Sequence, residues 1–143
     1  MSKGSRIFTV EEVDALLPEL SERVGRLLDR RLRIVEDIAA LGALTGQQPP
    51  SLESQDDDPP EVAALRRSLQ GQIRSYEDGW SAIERFGATV KDPQTGLLDF
   101  YGQIDGRLVW LCWRYGETEL GWYHDLQAGF AHRRALVRRE LLN

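Results

Sequence analysis

Apolar side chains recur at alternating steps of four and three along the first third of the chain, the spacing of one helix face. The members of this stripe are Val13, Leu17, Leu20, Val24, Leu27, Ile34, Ile38 and Leu41. Thr9 and Glu12 have the spacing of a capping box, in which each side chain bonds the other residue's backbone amide. We therefore predict a helix over residues 9–44, with a kink near Pro18 because proline lacks the amide hydrogen.

A second apolar stripe with the same spacing begins at Val62. The intervening residues 45–58 are polar, proline-rich and acidic, a composition typical of a flexible loop. Asp58 is placed to cap a first helical turn, so we predict a second helix over residues 59–86. Two long helices joined by one loop should lie antiparallel as a hairpin.

After Gly87 the apolar pattern changes from a helical period to the two-residue period of strands. Asp105-Gly106 is the strongest hairpin signal in the chain, and residues 115–118 suggest a second turn. We predict a β-meander of three or four strands over residues 88–124, followed by a short C-terminal helical segment over residues 126–142. The fold class is therefore α+β: a long antiparallel helical hairpin packed on a small antiparallel sheet.

The two predicted turns divide the meander between two faces, because alternate residues of a strand point to opposite sides. One face is apolar and should lie under the helices: Leu98, Phe100, Val109, Leu111, Trp113, Leu120 and Trp122. The other face mixes aromatic and polar groups: Asp99, Tyr101, Trp110, Cys112, Arg114 and Tyr123, with Glu119 and Gly121 beside them. We interpret this mixed face as a ligand- or partner-binding surface. The alternative is that the C-terminal segment covers it.

Size and composition restrict the class of protein. A chain of 143 residues has the length of one domain, and we treat residues 1–143 as a single domain. No apolar run approaches the length of about 20 residues that a membrane span needs. The net charge of −5 argues against a nucleic-acid partner. Because the lone Cys112 cannot form an internal disulfide, we expect a cytoplasmic protein.

Several short blocks of the sequence occur in the same order in a known family. They are Phe8 to Glu12, Leu16 to Leu20, Val90 to Pro93, Gly96 to Phe100, Leu111 to Arg114, Gly116-Glu117, His124 and Gly129-Phe130. In this combination the chain resembles a prokaryotic family, domain of unknown function 2203. The resemblance implies a fold and a cellular setting, and it brings no activity.

The sequence offers few residues for catalysis or metal binding. His124 and His132 are the only histidines, and no phosphate loop, serine elbow or paired-cysteine motif is present. His124 and Cys112 could contribute to a mixed metal site, but the predicted register points them to opposite faces of the sheet. We therefore predict no catalytic residue, no metal site and no cofactor, with Cys112 as an inert, half-buried thiol.

Two functions remain open. The first is a non-enzymatic interaction or regulatory module that self-associates through its helices, most simply as a two-fold dimer. Helices of the predicted length exceed what a small sheet can cover, which favours this hypothesis. The alternative is a small-molecule-binding protein, or a small enzyme, that uses the mixed face of the sheet.

Overall fold

The first helix begins as the sequence predicts. The structure is a computed structural model and describes residues 6–137. Helix α1 (Val10–Thr45) starts with a complete capping box: the Glu12 amide donates to Thr9 Oγ1 at 3.1 Å, and the Thr9 amide donates to Glu12 Oε1 at 2.8 Å. The helix runs without a break through Pro18 and ends at Gly46, which adopts a left-handed backbone with φ of 74°. The kink at Pro18 stays a prediction.

The second helix, α2 (Pro60–Arg85), begins without the predicted cap. Its first turn has no side-chain cap, because Asp58 is engaged elsewhere. The Asp58 carboxylate accepts a hydrogen bond from Arg66 Nε at 3.0 Å, and both side chains are buried. Arg66 also donates to the carbonyl oxygen of Ser51. The loop between the helices is therefore bonded to α2 rather than capping it.

The two helices form the predicted hairpin and cover each other well beyond the sheet. Leu27 of α1 packs so closely on Gly79 of α2 that a Cβ added there would lie 2.4 Å from Leu27 Cδ2. At the far end a separate apolar cluster contains Ile34, Leu41, Val62 and Leu69, with Leu52 of the connecting loop against it. Between residues 6 and 137, neither helix has an apolar stretch of the length a bilayer crossing requires.

The sheet has five antiparallel strands rather than the predicted three or four. In spatial order they are β1 (Ala88–Asp92), β2 (Leu97–Ile104), β3 (Arg107–Arg114), β4 (Trp122–His124) and β5 (Arg134–Ala135). The main core cluster lies between the helices and one face of this sheet. Its buried members include Phe8, Val13, Leu20, Ile83, Leu98, Phe100, Leu111, Trp113 and Leu120.

The predicted C-terminal helical segment over residues 126–142 is wrong in its described part. Phe130–His132 form one 3-10 turn, and the chain then adds β5 to the edge of β4. The Leu136 amide donates to the Gly121 carbonyl oxygen at 2.8 Å. The backbone of this segment is thus satisfied by pairing with the sheet instead of by helical bonds. Residues 138–142 of the prediction lie outside the described residues.

The first hairpin has the predicted register. Asp99 lies opposite Cys112, and Tyr101 lies opposite Trp110. The turn between β2 and β3 consists of Asp105 and Gly106, with φ of 52° and 77°. Two positive values of this kind are the signature of the tight turn that these two residues favour.

The second hairpin differs from its predicted register by one residue. Trp110 lies opposite His124, where Tyr123 was expected, and Cys112 lies opposite Trp122, where Gly121 was expected. Because the side-chain period of a strand is two, this slip exchanges the faces of β4. Trp122 therefore lies on the mixed face and Tyr123 packs against the core cluster, the reverse of the prediction.

The slip comes from the connection between β3 and β4. Residues 115–121 form a longer loop than the predicted turn, and this loop docks on α1. The Trp113 indole donates to the Glu117 carbonyl oxygen at 2.9 Å, and the Leu120 amide donates to Asp14 Oδ1 on α1 at 2.9 Å. Burial of the Leu120 side chain in the core fixes where β4 can begin.

The corrected register predicts different roles for two tryptophans. Trp113→Ala should lower the free energy of unfolding by about 3–5 kcal/mol, because it opens a cavity in the core. Trp122→Ala should cost clearly less, because Trp122 is only half-buried and lies outside the core cluster, with the Arg133 guanidinium over its ring. Denaturant melts at one fixed chain concentration would measure both changes. An equal or larger loss for Trp122→Ala would contradict the register.

Candidate functional site

Five of the six residues predicted for a binding surface share the mixed face of the sheet. Asp99 and Cys112 are fully buried there, with exposed fractions of 1% and 0%. The Tyr101 and Trp110 rings pack with their centroids 5.5 Å apart, and the Arg114 guanidinium lies over the Phe130 ring at 5.2 Å. Tyr123, the sixth, is absent from this face because of the slip in β4. His124 takes its place.

A carboxylate–imidazole pair lies buried at the centre of this face. His124 Nε2 is 3.0 Å from Asp99 Oδ2, and His124 Nδ1 is 3.1 Å from the carbonyl oxygen of Asp125. Since a carbonyl oxygen can only accept, Nδ1 carries a hydrogen in that contact. Nε2 and the carboxylate oxygen then face each other at a hydrogen-bonding distance, which one proton between them would satisfy.

The Asp99 carboxylate is only half satisfied. Within residues 6–137, its second oxygen, Oδ1, is buried and has no hydrogen-bond partner. A buried polar atom in this state normally costs about 1–3 kcal/mol. Such an atom calls for an explanation, and a binding site is one of the recognised explanations.

Cys112 completes a cluster of three potential ligand atoms. Its sulfur, one Asp99 oxygen and one His124 nitrogen all lie within 4.8 Å of one another. Burial, and after it the neighbouring Asp99 carboxylate, raises the pKa of the Cys112 thiol to about 12. This raised pKa favours a protonated, unreactive thiol, and Cys112 is fully buried where the sequence predicted a half-buried residue.

The C-terminal segment covers part of the mixed face, which is the alternative that the sequence left open. The Arg133 guanidinium lies between the Trp122 and Phe130 rings, 4.6 Å from each centroid. Its Nη2 also donates to Glu117 Oε1 at 3.1 Å and to the Cys112 carbonyl oxygen at 3.4 Å. Arg133 thus attaches the segment across β3 and β4.

The cover is incomplete and leaves a cavity of about 320 Å³ over the carboxylate–imidazole pair. The cavity is lined by Lys91, Leu97, Asp99, Trp110, His124, Leu126, Ala128, Gly129 and Phe130. The walls combine apolar side chains with polar groups, and the ionisable groups are concentrated at Asp99, His124 and Lys91. This combination is typical of sites for small molecules.

A larger hollow of about 520 Å³ lies between α1 near Pro18 and the loop of residues 115–121. Within residues 6–137, no histidine, cysteine or lysine lines it. We regard it as the seam where the loop docks on the helix, because the Leu120–Asp14 hydrogen bond lies at this junction. The smaller cavity is the candidate site, since it alone of the two contains a buried ionisable pair.

Sequence reasoning missed several residues of this cavity. His124 was considered but assigned to the wrong face, and Lys91 and Phe130 were not considered for the site at all. Lys91 is an exposed residue near the end of β1, and Phe130 is the first residue of the 3-10 turn. Gly129-Phe130 is one of the sequence blocks that resemble the family, but nothing in the sequence indicated that it lines the same cavity as Trp110.

The family comparison confirms the resemblance noted from the sequence. A profile of the family described as Uncharacterized conserved protein (DUF2203) matches residues 6–136. The chain belongs to this family. Searches among curated proteins and among solved structures found no match. The DUF2203 assignment carries no activity, so any function must be argued from the site itself.

The burial and raised pKa of Cys112 predict slow modification of this DUF2203 protein by thiol reagents. With a pKa of about 12, the thiolate fraction at pH 8 is about one part in ten thousand, against roughly a quarter for a free cysteine. Reaction with Ellman's reagent in the presence of a chelator should therefore be at least about a thousandfold slower than in the guanidinium-unfolded chain. Native and unfolded rates within tenfold of each other would contradict this expectation.

Proposed function

We propose that this protein is a cytoplasmic binding protein for a small organic anion, which it holds in the cavity over Asp99 and His124. The observation that carries the proposal is a cavity of about 320 Å³ in which the Lys91 side chain stands beside the Trp110 ring. Cavities from about 300 to 1,000 Å³ with a few convergent polar groups are the usual form of small-molecule sites.

The buried pair supports a binding role because it is unfavourable for stability. Taking an ionisable pair out of water costs more than its attraction commonly returns, and apolar residues of similar size would pack as well. The opposite face of the same sheet has that apolar packing. Buried ionisable groups at a cavity are therefore candidates for function rather than for folding.

The charges around the cavity favour an anion. Lys91 Nζ lies 5.9 Å from the centroid of the Trp110 ring, so a cation stands beside a flat aromatic surface. Among the described residues, Asp99 is the one acidic member of the lining, and it already faces His124. A ligand with one carboxylate and a flat or apolar body would match Lys91, Trp110 and Phe130 together.

We propose binding without turnover. The Cys112 thiol has too high a pKa for a nucleophile in the metal-free chain. His124 has both ring nitrogens engaged, one by Asp125 and one by Asp99. These contacts support a site that holds its ligand.

A titration with aryl carboxylates tests this function. We expect benzoate to bind more tightly than the neutral benzamide, because only benzoate pairs with Lys91. Lys91→Gln and Trp110→Ala should each weaken benzoate binding at least about tenfold, corresponding to about 1.4 kcal/mol. Isothermal titration calorimetry would measure these affinities.

Two variants serve as controls for that titration. Arg85→Gln removes an exposed cation far from the cavity, and Leu108→Ala shortens a side chain of β3 that does not line it. Both should bind benzoate like the unaltered chain. Equal binding of benzoate and benzamide, or a protein purified from its own host with no bound anion in native mass spectrometry and no response to a carboxylate panel, would contradict the proposal.

A second role, self-association as a two-fold dimer through α1, is favoured by a separate observation. Leu32 and Val35 are 65% and 55% exposed, and with the half-buried Leu28 they form one side of the helix. The core-facing stripes are already covered within the chain, so this side of α1 is an apolar surface available to a second copy.

Light scattering at micromolar concentration should give a dimer mass for the unaltered chain. Leu32→Glu should shift it to a monomer, because a charge would be buried at the centre of the interface. Leu44→Glu is the matched control, since Leu44 is exposed on another side of α1. A monomer mass for the unaltered chain, or equal effects of the two variants, would contradict this role.

A further inference from the structure

We propose that Asp99, Cys112 and His124 form a binding site for a divalent transition-metal ion, with Zn²⁺ as the best match. The proposal goes beyond anion binding and does not depend on it. It rests on the position, burial and donor types of these three side chains in the described part of the chain.

The sheet brings the three donors together from neighbouring strands. Asp99 on β2 lies directly opposite Cys112 on β3, and Cys112 lies opposite Trp122, two residues before His124 on β4. Opposite and diagonal neighbours on one face of a sheet are within reach of each other's side chains. The three ligand atoms accordingly lie within 4.8 Å of one another, and all three residues are buried.

The donor types select the kind of metal. A thiolate, an imidazole and a carboxylate are the three protein ligands that zinc accepts, at about 2.0–2.3 Å. Mg²⁺ and Ca²⁺ prefer oxygen ligands only, so a sulfur in the set disfavours both. Zinc bond lengths place ligand atoms roughly 3.3–3.8 Å apart in a tetrahedron, which small side-chain rotations would reach from the present spacing.

The hydrogen bonds of His124 are those of a metal ligand. Nδ1 donates to the Asp125 carbonyl oxygen, which leaves the Nε2 lone pair directed at Asp99. Metal-bound histidines almost always donate their other ring N–H to an acceptor such as this carbonyl oxygen. A proton between Nε2 and Oδ2 would satisfy only that contact and would leave Oδ1 of the carboxylate without a partner. A metal ion would also engage the cysteine sulfur and relieve the carboxylate whose Oδ1 has no partner.

Three protein ligands leave one position of a tetrahedral ion open. Asp99 and His124 both line the cavity, so the open position lies on the cavity side. Zinc sites with three protein ligands and one exchangeable position are the type that binds small molecules or acts on them. That an organic anion would occupy this position is a step that rests on the proposed function.

The expectation of no metal site depended on the predicted register, which placed Cys112 and His124 on opposite faces. The observed register removes that reason. The two apolar clusters do not include the three donors, so the chain should still fold without metal. The ion would then add stability by mass action instead of being required for folding.

Cobalt substitution of the full-length chain, with no organic anion present, tests the site. We expect the chelator-treated protein to bind one Co²⁺ per chain, with a thiolate-to-cobalt charge-transfer band in the near ultraviolet. Intense visible bands of a tetrahedral ion should appear with it, and Zn²⁺ should displace the Co²⁺. Absence of Co²⁺ uptake by the folded chain, or uptake without the charge-transfer band, would overturn the proposal.

Variants identify the ligands and separate this proposal from the anion site. Cys112→Ser should abolish the charge-transfer band, and His124→Gln and Asp99→Asn should each weaken binding at least about tenfold. Circular dichroism would verify that each variant is folded. The control His132→Gln alters the other, exposed histidine and should bind Co²⁺ normally. Lys91→Gln should also keep full metal binding, because Lys91 concerns only the anion. Unchanged binding in folded His124→Gln, or lost binding in His132→Gln, would overturn the assignment.

Discussion

The hydrogen bond from the Leu120 amide to the Asp14 carboxylate joins the sheet to α1, and the rest of the mixed face depends on it. With Leu120 buried in the core, the loop before β4 has a fixed length, and β4 can start only at Trp122. That start puts His124 opposite Trp110 and beside Asp99. A shift of one residue would have turned His124 toward the core and dispersed the cluster.

One face of the sheet stabilises the fold, and the other face carries the candidate site. The face under the helices is apolar, and burial of its side chains supplies the main favourable free energy of folding. The opposite face buries an ionisable pair and an unpartnered carboxylate oxygen, both of which oppose folding, beside the Cys112 thiol. Such a site can persist only because the first face and the helical hairpin stabilise the same strands.

Elements governed by local chemistry could be predicted from the sequence, and elements governed by distant contacts could not. The Thr9–Glu12 cap and the Asp105-Gly106 turn involve neighbouring residues, so the start of α1 and the register of β2 with β3 were predicted correctly. Asp58 was expected to cap α2, but Arg66 binds it instead. The register of β4 depends on residues 106 positions apart in the chain, a contact that no local pattern reports. The Asp99–His124 pair could not be predicted for the same reason, because His124 lies beside Asp99 only in the observed register of β4.

The candidate site and the C-terminal segment depend on each other. β4 has three residues and is held between β3 and the two residues of β5, so it has few hydrogen bonds of its own. Arg133 compensates by joining β3, the loop at Glu117 and the rings of Trp122 and Phe130. An ion or anion bound at His124 would contact both β4 and the wall that Phe130 provides. Its binding free energy would then stabilise the docked position of the C-terminal segment, since a ligand stabilises the conformation that it binds. Beyond β4, Leu136 is the described side chain that packs against the core cluster, so ligand binding would stabilise a segment that the core itself holds only weakly.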